Sequence, residues 1–452
     1  MKKLSLFLII SKLAFAQTIS FEEALNQTIE NSKDLQKQKI NIDIAKTNSD
    51  FIDGLNFGKV SLNSDISRTN HSGYVFMGKL SSREATFKDF GFAQNTGDMN
   101  TAPKDLNYPD SYTSINSYIS YDLPLFTGFA LYHQKGILKL QEKANEILYN
   151  LDKKTLEFEV LKAYNSAVLA KDFVKTMQKA KDTIGFIKNG AKEFHKNGLV
   201  TKIDVNEAEL YFLNTNSNLI EAENNFKLSL AYLKFLTSNQ NISDVENLQN
   251  TYLEIKEFED LYKIALKNRD EITLQNISIE ANNKNIKVNQ GSYYPSVFTH
   301  LEYGYNDDKF STSKDKDYYM ALLGISLTLF DGTRSANLEK SRLEYLKAKL
   351  DFEKLQDGIK LEVQKAILDY KAKQEILKEK ILASELASSV LNQAKLQYKN
   401  RLISMTTLLS QETNHKQSQT MLLNAKYENS LALARLNLVL GQNLQKDYKW
   451  DF

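Results

Sequence analysis

The chain has 452 residues, and its 58 basic side chains almost balance its 56 acidic ones. That balance gives no sign of the basic surface by which proteins hold nucleic acid, and the absence of cysteine excludes disulfides and thiolate metal ligands. The chain has 23 tyrosines and 24 phenylalanines but one tryptophan, an unusual aromatic content for a purely helical protein.

The first 16 residues have the pattern of a secretory signal peptide. Met1-Lys2-Lys3 is followed by the apolar run 4–10 and by the small-x-small sequence Ala14-Phe15-Ala16. The alternative, a buried N-terminal helix, fits the two early lysines poorly. No later apolar run reaches the roughly 18 residues of a membrane-spanning helix. We therefore expect a periplasmic protein, a secreted protein or an outer-membrane β-barrel.

The rest of the chain predicts two structural repeats, residues 17–240 and 241–452. Three blocks recur in the same order. Phe21-Glu22-Glu23 returns as Phe258-Glu259-Asp260, Leu125-Phe126-Thr127-Gly128 as Leu329-Phe330-Asp331-Gly332, and Lys196-Asn197-Gly198-Leu199-Val200 as Lys399-Asn400-Arg401-Leu402-Ile403. The spacing between these blocks places about 33 additional residues between Gly54 and Leu125 in the first repeat.

Each repeat predicts the same elements in the same order. A helix comes first (20–51 and 258–288), then a strand pair (within 57–127 and 296–330), a very long helix (129–197 and 333–400), a turn (197–204 and 400–407) and a last helix (201–236 and 404–440), the second repeat ending in a C-terminal tail. The apolar residues of the helices recur every three or four positions, which gives each helix one buried stripe. The two shorter helices together match the long one, so each repeat supplies two columns able to pack as coiled coils.

Four segments alternate between apolar and polar residues and predict β-strands. They span 60–66, 112–123, 297–305 and 319–329, and in the last one every odd position except the small Ala321 carries a large apolar side chain. All but the first have roughly the 9–11 residues of an outer-membrane strand. The alternative is a soluble β-sandwich with one solvent-exposed face. Predicted export and tyrosines near the strand ends favour outer-membrane strands instead.

Four strands are too few to close a barrel, which needs about eight. The chain must therefore oligomerise to close one, and the strand count leaves two or three copies open. Long polar connections at 71–111 and 306–317 are typical of the outer loops of such a barrel.

No segment predicts catalysis, a cofactor or a metal site. Residues 73–80 approach a phosphate-binding loop, but Leu80 replaces the hydroxyl residue that holds magnesium. The five histidines lack the spacing of metal ligands and are expected at the surface. The acidic loop 307–317 lacks the glycine and terminal glutamate of a calcium loop. We therefore predict that the protein is not an enzyme.

The turns between the long and the last helices are better functional candidates. Gly198 suits a left-handed helix end, while Thr201 with Asp204 suits a capped restart. Asn400 can end the second long helix, and Ser404 can cap the helix that follows. At the rise per residue of an α-helix, the long helices place both turns about 100 Å from the strands. If the helices enclose a tube, these turns line its far mouth.

Four features of the sequence together resemble the TolC-type outer-membrane efflux proteins. They are the signal peptide, the repeats, the strand endings Leu-Pro-Leu-Phe-Thr-Gly and Leu-Thr-Leu-Phe-Asp-Gly, and the turn from Asn197 to Val205. The resemblance covers nearly the whole mature chain. It implies a homotrimer in which a twelve-stranded outer-membrane barrel continues into a helical periplasmic tunnel. Such ducts work with a periplasmic adaptor and an inner-membrane transporter to export drugs, detergents or proteins, without cofactor or catalysis.

At the turns this resemblance carries over only in part. Asp204 matches the family's first-turn aspartate and Tyr398 the tyrosine that opens the second turn, but the usual basic partner falls on Ile403. The aspartates that form a cation-binding ring fall on Thr407 and Ser410, and a ring of hydroxyls attracts cations weakly.

Our hypothesis is that closure of the gate rests on coiled-coil packing near Leu402, Ile403 and Leu408, with a pair between Lys202 and Asp204. The expected adaptor-contacting residues are Gly198, Leu199, Val200, Arg401 and Leu402.

A periplasmic coiled-coil adaptor or scaffold is the alternative function. Adaptors have one helical hairpin, glycine-rich β-domains and an N-terminal membrane anchor. This chain predicts two hairpins, has 17 glycines and predicts no anchor, so we favour the duct. A secreted enzyme, the third possibility, has no supporting site.

Overall fold

The computed structural model describes residues 17–247 and 257–443, so the predicted signal peptide lies outside the described residues. The chain forms two compact units. The helical unit contains the described residues up to Asn41, Asn145–Asn276 and those from Leu350 onward; the sheet unit contains Ile42–Ala144 and Ile277–Lys349. Each unit therefore takes segments from both predicted repeats. Across the described ranges, no helix combines the length and apolarity needed to cross a bilayer.

The described residues form ten α-helices and six β-strands. The helices are α1 Phe21–Asn31, α2 Lys33–Asn56, α3 Ser72–Ser81, α4 Lys104–Asn107, α5 Ala130–Lys196, α6 Lys202–Thr237, α7 Phe258–Asn268, α8 Asp270–Gln290, α9 Arg334–Lys399 and α10 Met405–Val439. The strands are β1 Gln17–Ile19, β2 Lys59–Thr69, β3 Tyr112–Thr127, β4 Ile242–Val245, β5 Ser296–Asp307 and β6 Asp317–Ser326. The four long helices α5, α6, α9 and α10 start and end within one or two residues of their predicted limits.

The first helix of each repeat was predicted as continuous, and that prediction is wrong. Ser32 separates α1 from α2, and Arg269 separates α7 from α8, both with extended ψ angles near 120°. At each break the backbone N–H still donates to the carbonyl four residues earlier, at 2.8 Å for Ser32 and 2.9 Å for Arg269. The breaks are equivalent in the two repeats and contain neither glycine nor proline. At the first break the Ser32 hydroxyl accepts from the Leu35 N–H at 3.2 Å and so caps the start of α2.

Apolar clusters along the long helices hold the helical unit together. One surrounds Val363 and Leu433, and another surrounds Val160 and Leu233; these four side chains are at most 1% exposed. Adjacent residues of α5 serve the two clusters, since Leu161 belongs to the first and Val160 to the second. This is the coiled-coil packing that the apolar stripes predict.

A small sheet in the helical unit was not predicted. Strand β1 pairs in parallel with β4, and the hydroxyl of the buried Tyr164 on α5 donates to the carbonyls of Ile19 at 2.9 Å and Glu246 at 3.1 Å. Both strands have four residues or fewer. Alternation over so few residues cannot be distinguished from chance.

The sheet unit contains the four predicted strands in the order β2-β3-β5-β6, with all neighbours antiparallel. Strand β2 is longer than the predicted 60–66 and has 11 residues. Strand β6 ends at Ser326, so Leu327 and Leu329 follow it rather than belonging to it. Within the described residues, β2 and β6 each pair along one side only.

The register separates the side chains of this sheet into two chemically different faces. Leu62 lies opposite Ile119, Ile119 opposite Tyr303, and Tyr303 opposite Tyr319. This apolar face is open: the exposed fraction is 78% for Leu62 and 83% for Tyr319. The polar face carries hydrogen-bonded groups, among them His300 with Asp122 at 2.6 Å and with Glu302 at 3.2 Å.

The connection between β2 and β3 is more ordered than the predicted polar loop. It contains α3, a 3₁₀ turn at Phe92–Gln94 and α4. The stretch that resembled a phosphate-binding loop lies within α3, so it lacks the loop geometry that cradles a phosphate. The much shorter connection between β5 and β6 is a turn with no helix, and the difference between them accounts for the additional residues of the first repeat.

Candidate gate at the helical turns

The turn between α5 and α6 is made by a left-handed residue followed by a reciprocal cap. Gly198 has a φ of +68°, and the Leu199 N–H donates to the Phe194 carbonyl at 2.8 Å. The Thr201 hydroxyl accepts from the Asp204 N–H at 3.2 Å, while a carboxylate oxygen of Asp204 accepts from the Thr201 N–H at 2.8 Å. Both roles agree with the sequence prediction.

The turn between α9 and α10 repeats this backbone with other side chains. Arg401 takes the left-handed position with a φ of +63°, and the Leu402 N–H donates to the Gln397 carbonyl at 2.9 Å. Ser404 caps α10 by accepting from the Thr407 N–H at 3.1 Å, and the two hydroxyl oxygens lie 2.9 Å apart. Helix α9 ends at Lys399, directly before the predicted Asn400, whose N–H still donates to the Leu396 carbonyl at 3.1 Å; the left-handed residue is Arg401.

The expected pair between Lys202 and Asp204 does not form within the chain. The Asp204 carboxylate is bound by Thr201, whose hydroxyl and backbone N–H hold the pKa of this carboxyl below its usual value. Lys202 is exposed and makes no ion pair with any described residue. The charge of Asp204 thus serves the start of α6, where a negative group also complements the helix dipole.

The two turns are joined by an apolar cluster that includes several predicted gate residues. Leu408 is 2% exposed in it, and the partly buried Ile403 and Tyr398 pack against it. Tyr398 lies against Phe194 of the first turn, with ring centres 6.1 Å apart. Burial, and then the nearby Asp204 charge, raise the pKa of Tyr398. A hydrogen bond from Thr406 to Glu207 at 2.9 Å adds a polar contact between α10 and α6.

The remaining predicted residues lie at the surface of the chain. Leu402 is 73% exposed and does not take part in the packing proposed for it. Thr407 and Ser410 are exposed hydroxyls. Gly198 and Arg401 are exposed, Leu199 is 43% exposed, and Val200 is half-buried. The structure therefore brings Tyr398, Ile403 and Leu408 together but leaves the expected adaptor-contacting edge open.

Two titratable groups near this cluster were not predicted. Glu412 is 3% exposed, and its Oε2 atom has no hydrogen-bond partner; burial raises its pKa, and Lys395 and Lys416 oppose that shift. The Nδ1 atom of His415 is also buried without a partner, and burial together with Lys395 lowers its pKa. Glu412 follows Leu408 and Leu409 at helical spacing, a signal that could have placed it on the buried stripe.

Several histidines also depart from the expected exposed positions. His71 and His195 are exposed as expected, but His133, His300 and His415 are half-buried. Burial, with Lys287 and Lys284 nearby, lowers the pKa of His133.

Comparison with known proteins supplies the context of this geometry. Residues 261–442 match the family model described as outer membrane efflux protein. No curated protein matches the chain in sequence. The resemblance predicted from the sequence is confirmed.

Solved channel structures share the fold over nearly the whole chain. CusC, described in terms of transmembrane channel formation, has a TM-score of 0.78 at 13% identity and covers 95% of this chain and 93% of its own. The CmeC outer-membrane channel of Campylobacter jejuni has a TM-score of 0.74 at 14% identity, and the match covers 93% of this chain and 85% of CmeC. VceC, an outer membrane protein of Vibrio cholerae, has a TM-score of 0.74 at 15% identity. The match covers 94% of this chain and 96% of VceC. The predicted fold class, a helical barrel with a β-barrel domain, is confirmed by these likenesses.

Proposed function

We propose that the protein is the outer-membrane exit duct of a tripartite efflux pump or a type I secretion system. In this proposal it is a homotrimer that passively conducts drugs, detergents or proteins released by an inner-membrane transporter. A periplasmic adaptor joins the two, the strands contact outer-membrane lipid, and the helical part lies in the periplasm. The efflux-protein match and the channel neighbours support this assignment, which requires neither a cofactor nor a catalytic residue.

The observation that carries the proposal is the sheet with one open apolar face and two edge strands, β2 and β6, that each lack a second neighbour among the described residues. In water, a contiguous apolar face of this kind would be covered by a partner or by lipid. Long edge strands without a neighbour invite pairing with another chain. Three copies joined edge to edge supply twelve strands, enough for a closed barrel whose apolar face meets lipid and whose polar face lines a lumen.

A matched pair of substitutions tests this orientation. Leu322 lies opposite His300 on the polar face, and its neighbour Leu323 lies opposite Thr299 on the apolar face. An arginine facing lipid costs about 2–4 kcal/mol near the bilayer centre, so we expect Leu323→Arg to prevent assembly in the outer membrane. Leu322→Arg should still assemble. Membrane fractionation and the mass of the detergent-extracted protein check both variants.

A trimer that tolerates arginine at Leu322 but not at Leu323 is the expected result. Equal tolerance at both positions would contradict the assignment of the two faces. A soluble monomer from the wild-type chain would contradict the duct as a whole, and the adaptor or scaffold function would replace it.

The gate of this duct is proposed to lie at the two turns, with Lys202, Asp204, Tyr398, Ile403, Thr407 and Ser410 at its mouth. Packing around Leu408 holds the turns of one chain together. Apolar contacts therefore stabilise the closed gate in this proposal. Thr407 and Ser410 are exposed hydroxyls, so these two positions contribute no acidic ring to the mouth.

The adaptor is proposed to contact the exposed edge formed by Gly198, Leu199, Val200, Arg401 and Leu402. Leu199→Asp combined with Leu402→Asp should abolish efflux while the trimer persists, because a buried carboxylate is costly at an apolar contact. Drug accumulation in cells and trimer mass are the two measurements. Efflux at the wild-type rate would rule out this edge as the adaptor contact.

A further inference from the structure

Helix α3, in the long connection between β2 and β3, packs on the polar face of the sheet. A Cβ atom placed on Gly78 would lie 3.1 Å from the ring of Tyr112 and 3.6 Å from the Cβ of Ser114. Both are even-numbered residues of β3, on the same face as Asn116 and Asp122, because side chains alternate along a strand. The contact therefore lies on the face opposite to Ile119.

The close approach depends on the shape of the helix. Val75 is 2% exposed and Gly78 is buried, one helical turn apart on the same side of α3. Tyr74 and Met77, on another side, are 71% and 58% exposed. A Cβ atom at Gly78 would require the Tyr112 ring to shift by a few tenths of an ångström. One side of α3 is thus fitted to the sheet.

Polar contacts attach the end of α3 to the other strand connection of the same unit. Arg83 has a φ of +57° and donates to the carbonyls of Asp315 at 2.7 Å and Asp317 at 2.6 Å. Lys316 donates in return to the Ser82 carbonyl at 2.7 Å and to Glu84 at 2.9 Å. These contacts form a latch between the two connections.

The latch also accounts for a group of carboxylates. Oxygens of Glu84, Asp307 and Asp308 lie within 4.8 Å of one another, a geometry that could hold a cation. The ammonium group of Lys316 is 2.9 Å from Glu84 and 3.7 Å from Asp307. The protein thus supplies the positive charge itself, and we assign no metal site here.

We propose that α3, held by the latch of Arg83 and Lys316, is a plug inside the outer mouth of the duct. The inference rests on the proposed function, because only a closed barrel turns the polar face into a lumen. The strand connections lie at the ends of β2 and β5, and three copies would place three α3 helices in one pore. Export then requires the plug to leave the sheet, which breaks the polar contacts of the latch and exposes Val75 and Gly78.

The absence of cysteine allows a direct test. The 3.6 Å separation at Gly78 and Ser114 falls in the range of about 3.5–4.5 Å between the Cβ atoms of a disulfide. The latch is first released with Arg83→Ala and Lys316→Ala, and Gly78→Cys with Ser114→Cys is then added. Conductance is measured in planar lipid bilayers under oxidising conditions and again after dithiothreitol, with disulfide formation confirmed by mass spectrometry.

The latch-free protein should conduct severalfold more than the wild type. The oxidised cysteine pair should remove that gain, and dithiothreitol should restore it in the same preparation, whereas cysteine-free protein should not respond. Lys309→Ala with Lys314→Ala is the matched control, since it removes two positive charges from the connection between β5 and β6. Neither lysine makes an ion pair with a described residue, so wild-type conductance is expected.

Different failures remain distinguishable. Pores of equal conductance in the oxidised and reduced forms would overturn the plug and leave the duct intact. Failure of the cysteine pair to form a disulfide would contradict the packing of α3 on the polar face. Absence of any pore, in the wild type and in every variant, would overturn the duct and the plug together.

Discussion

The turns at 197–204 and 400–407 occupy equivalent places in the two repeats and share one backbone geometry. Each has a left-handed residue, Gly198 or Arg401, and each restarts the chain at a hydroxyl cap, Thr201 or Ser404. They differ in charge, because the third residue of the following helix is Asp204 in one and Thr407 in the other. The fold thus requires a left-handed residue and a cap at this point, but it does not require a carboxylate.

This difference bears directly on the proposed gate. The carboxylate of the first turn is bound by Thr201, and the second turn offers hydroxyls where the resemblance leads one to expect acids. The two turns can therefore hold the same shape while giving the mouth of a trimer little negative field.

The largest effect is expected from giving the second turn the charge of the first. Wild-type pores should be blocked only weakly by a trivalent cation such as hexaamminecobalt(III). Thr407→Asp with Ser410→Asp would add six carboxylates around the mouth of a trimer, and block should then occur at far lower concentration. Bilayer conductance against cation concentration measures both. Strong block of the wild type would contradict a mouth without an acidic ring.

Removing the caps should affect the first turn more than the second. Thr201→Ala breaks a reciprocal cap and should cost about 2 kcal/mol, whereas Ser404→Ala breaks a simpler one and should cost about 1 kcal/mol. The local free energy of opening is read from hydrogen exchange of the amides in the first turns of α6 and α10. The control for each variant is the other turn, whose exchange should not change. A larger loss of local stability in Ser404→Ala than in Thr201→Ala would contradict this expectation.

Exchanging the left-handed residues should give the smallest effects, of opposite sign. Gly198→Ala places a side chain at a positive φ and should destabilise the first turn by about 1 kcal/mol. Arg401→Gly removes the same strain from the second turn, but glycine loses more conformational entropy on folding, so the gain should stay below about 1 kcal/mol. Hydrogen exchange at the ends of α5 and α9 measures both. Destabilisation by Arg401→Gly would indicate that the arginine side chain stabilises the turn.

The elements that the sequence predicted well are those with strong local signals. The stripes of α5 and α9 run for more than sixty residues, and the alternation in β3 and β5 places Ile119 and Tyr303 on one face. At the turns, Gly198, Thr201, Asp204 and Ser404 have the residue types that their roles demand, so their local structure could be predicted.

The features that were missed depend on contacts between distant segments. Ser32 and Arg269 interrupt helices without a breaking residue, and Leu402 is exposed although its neighbour Ile403 packs inward. Helix α3 has few residues and an interior glycine, and its position depends on Tyr112 and Ser114 of the sheet. Periodicity within one segment carries no information about such partners.

The parallel pair of β1 and β4 has a consequence for the timing of folding. Gln17 pairs with Ile242, more than 220 positions along the chain, and closing so long a loop is entropically costly. In an exported chain that emerges N-terminus first, the segment Gln17–Ile19 would reach the periplasm long before its partner. It must stay unpaired, with Ile19 uncovered, until Val245 has followed, and during that interval a periplasmic chaperone could bind it.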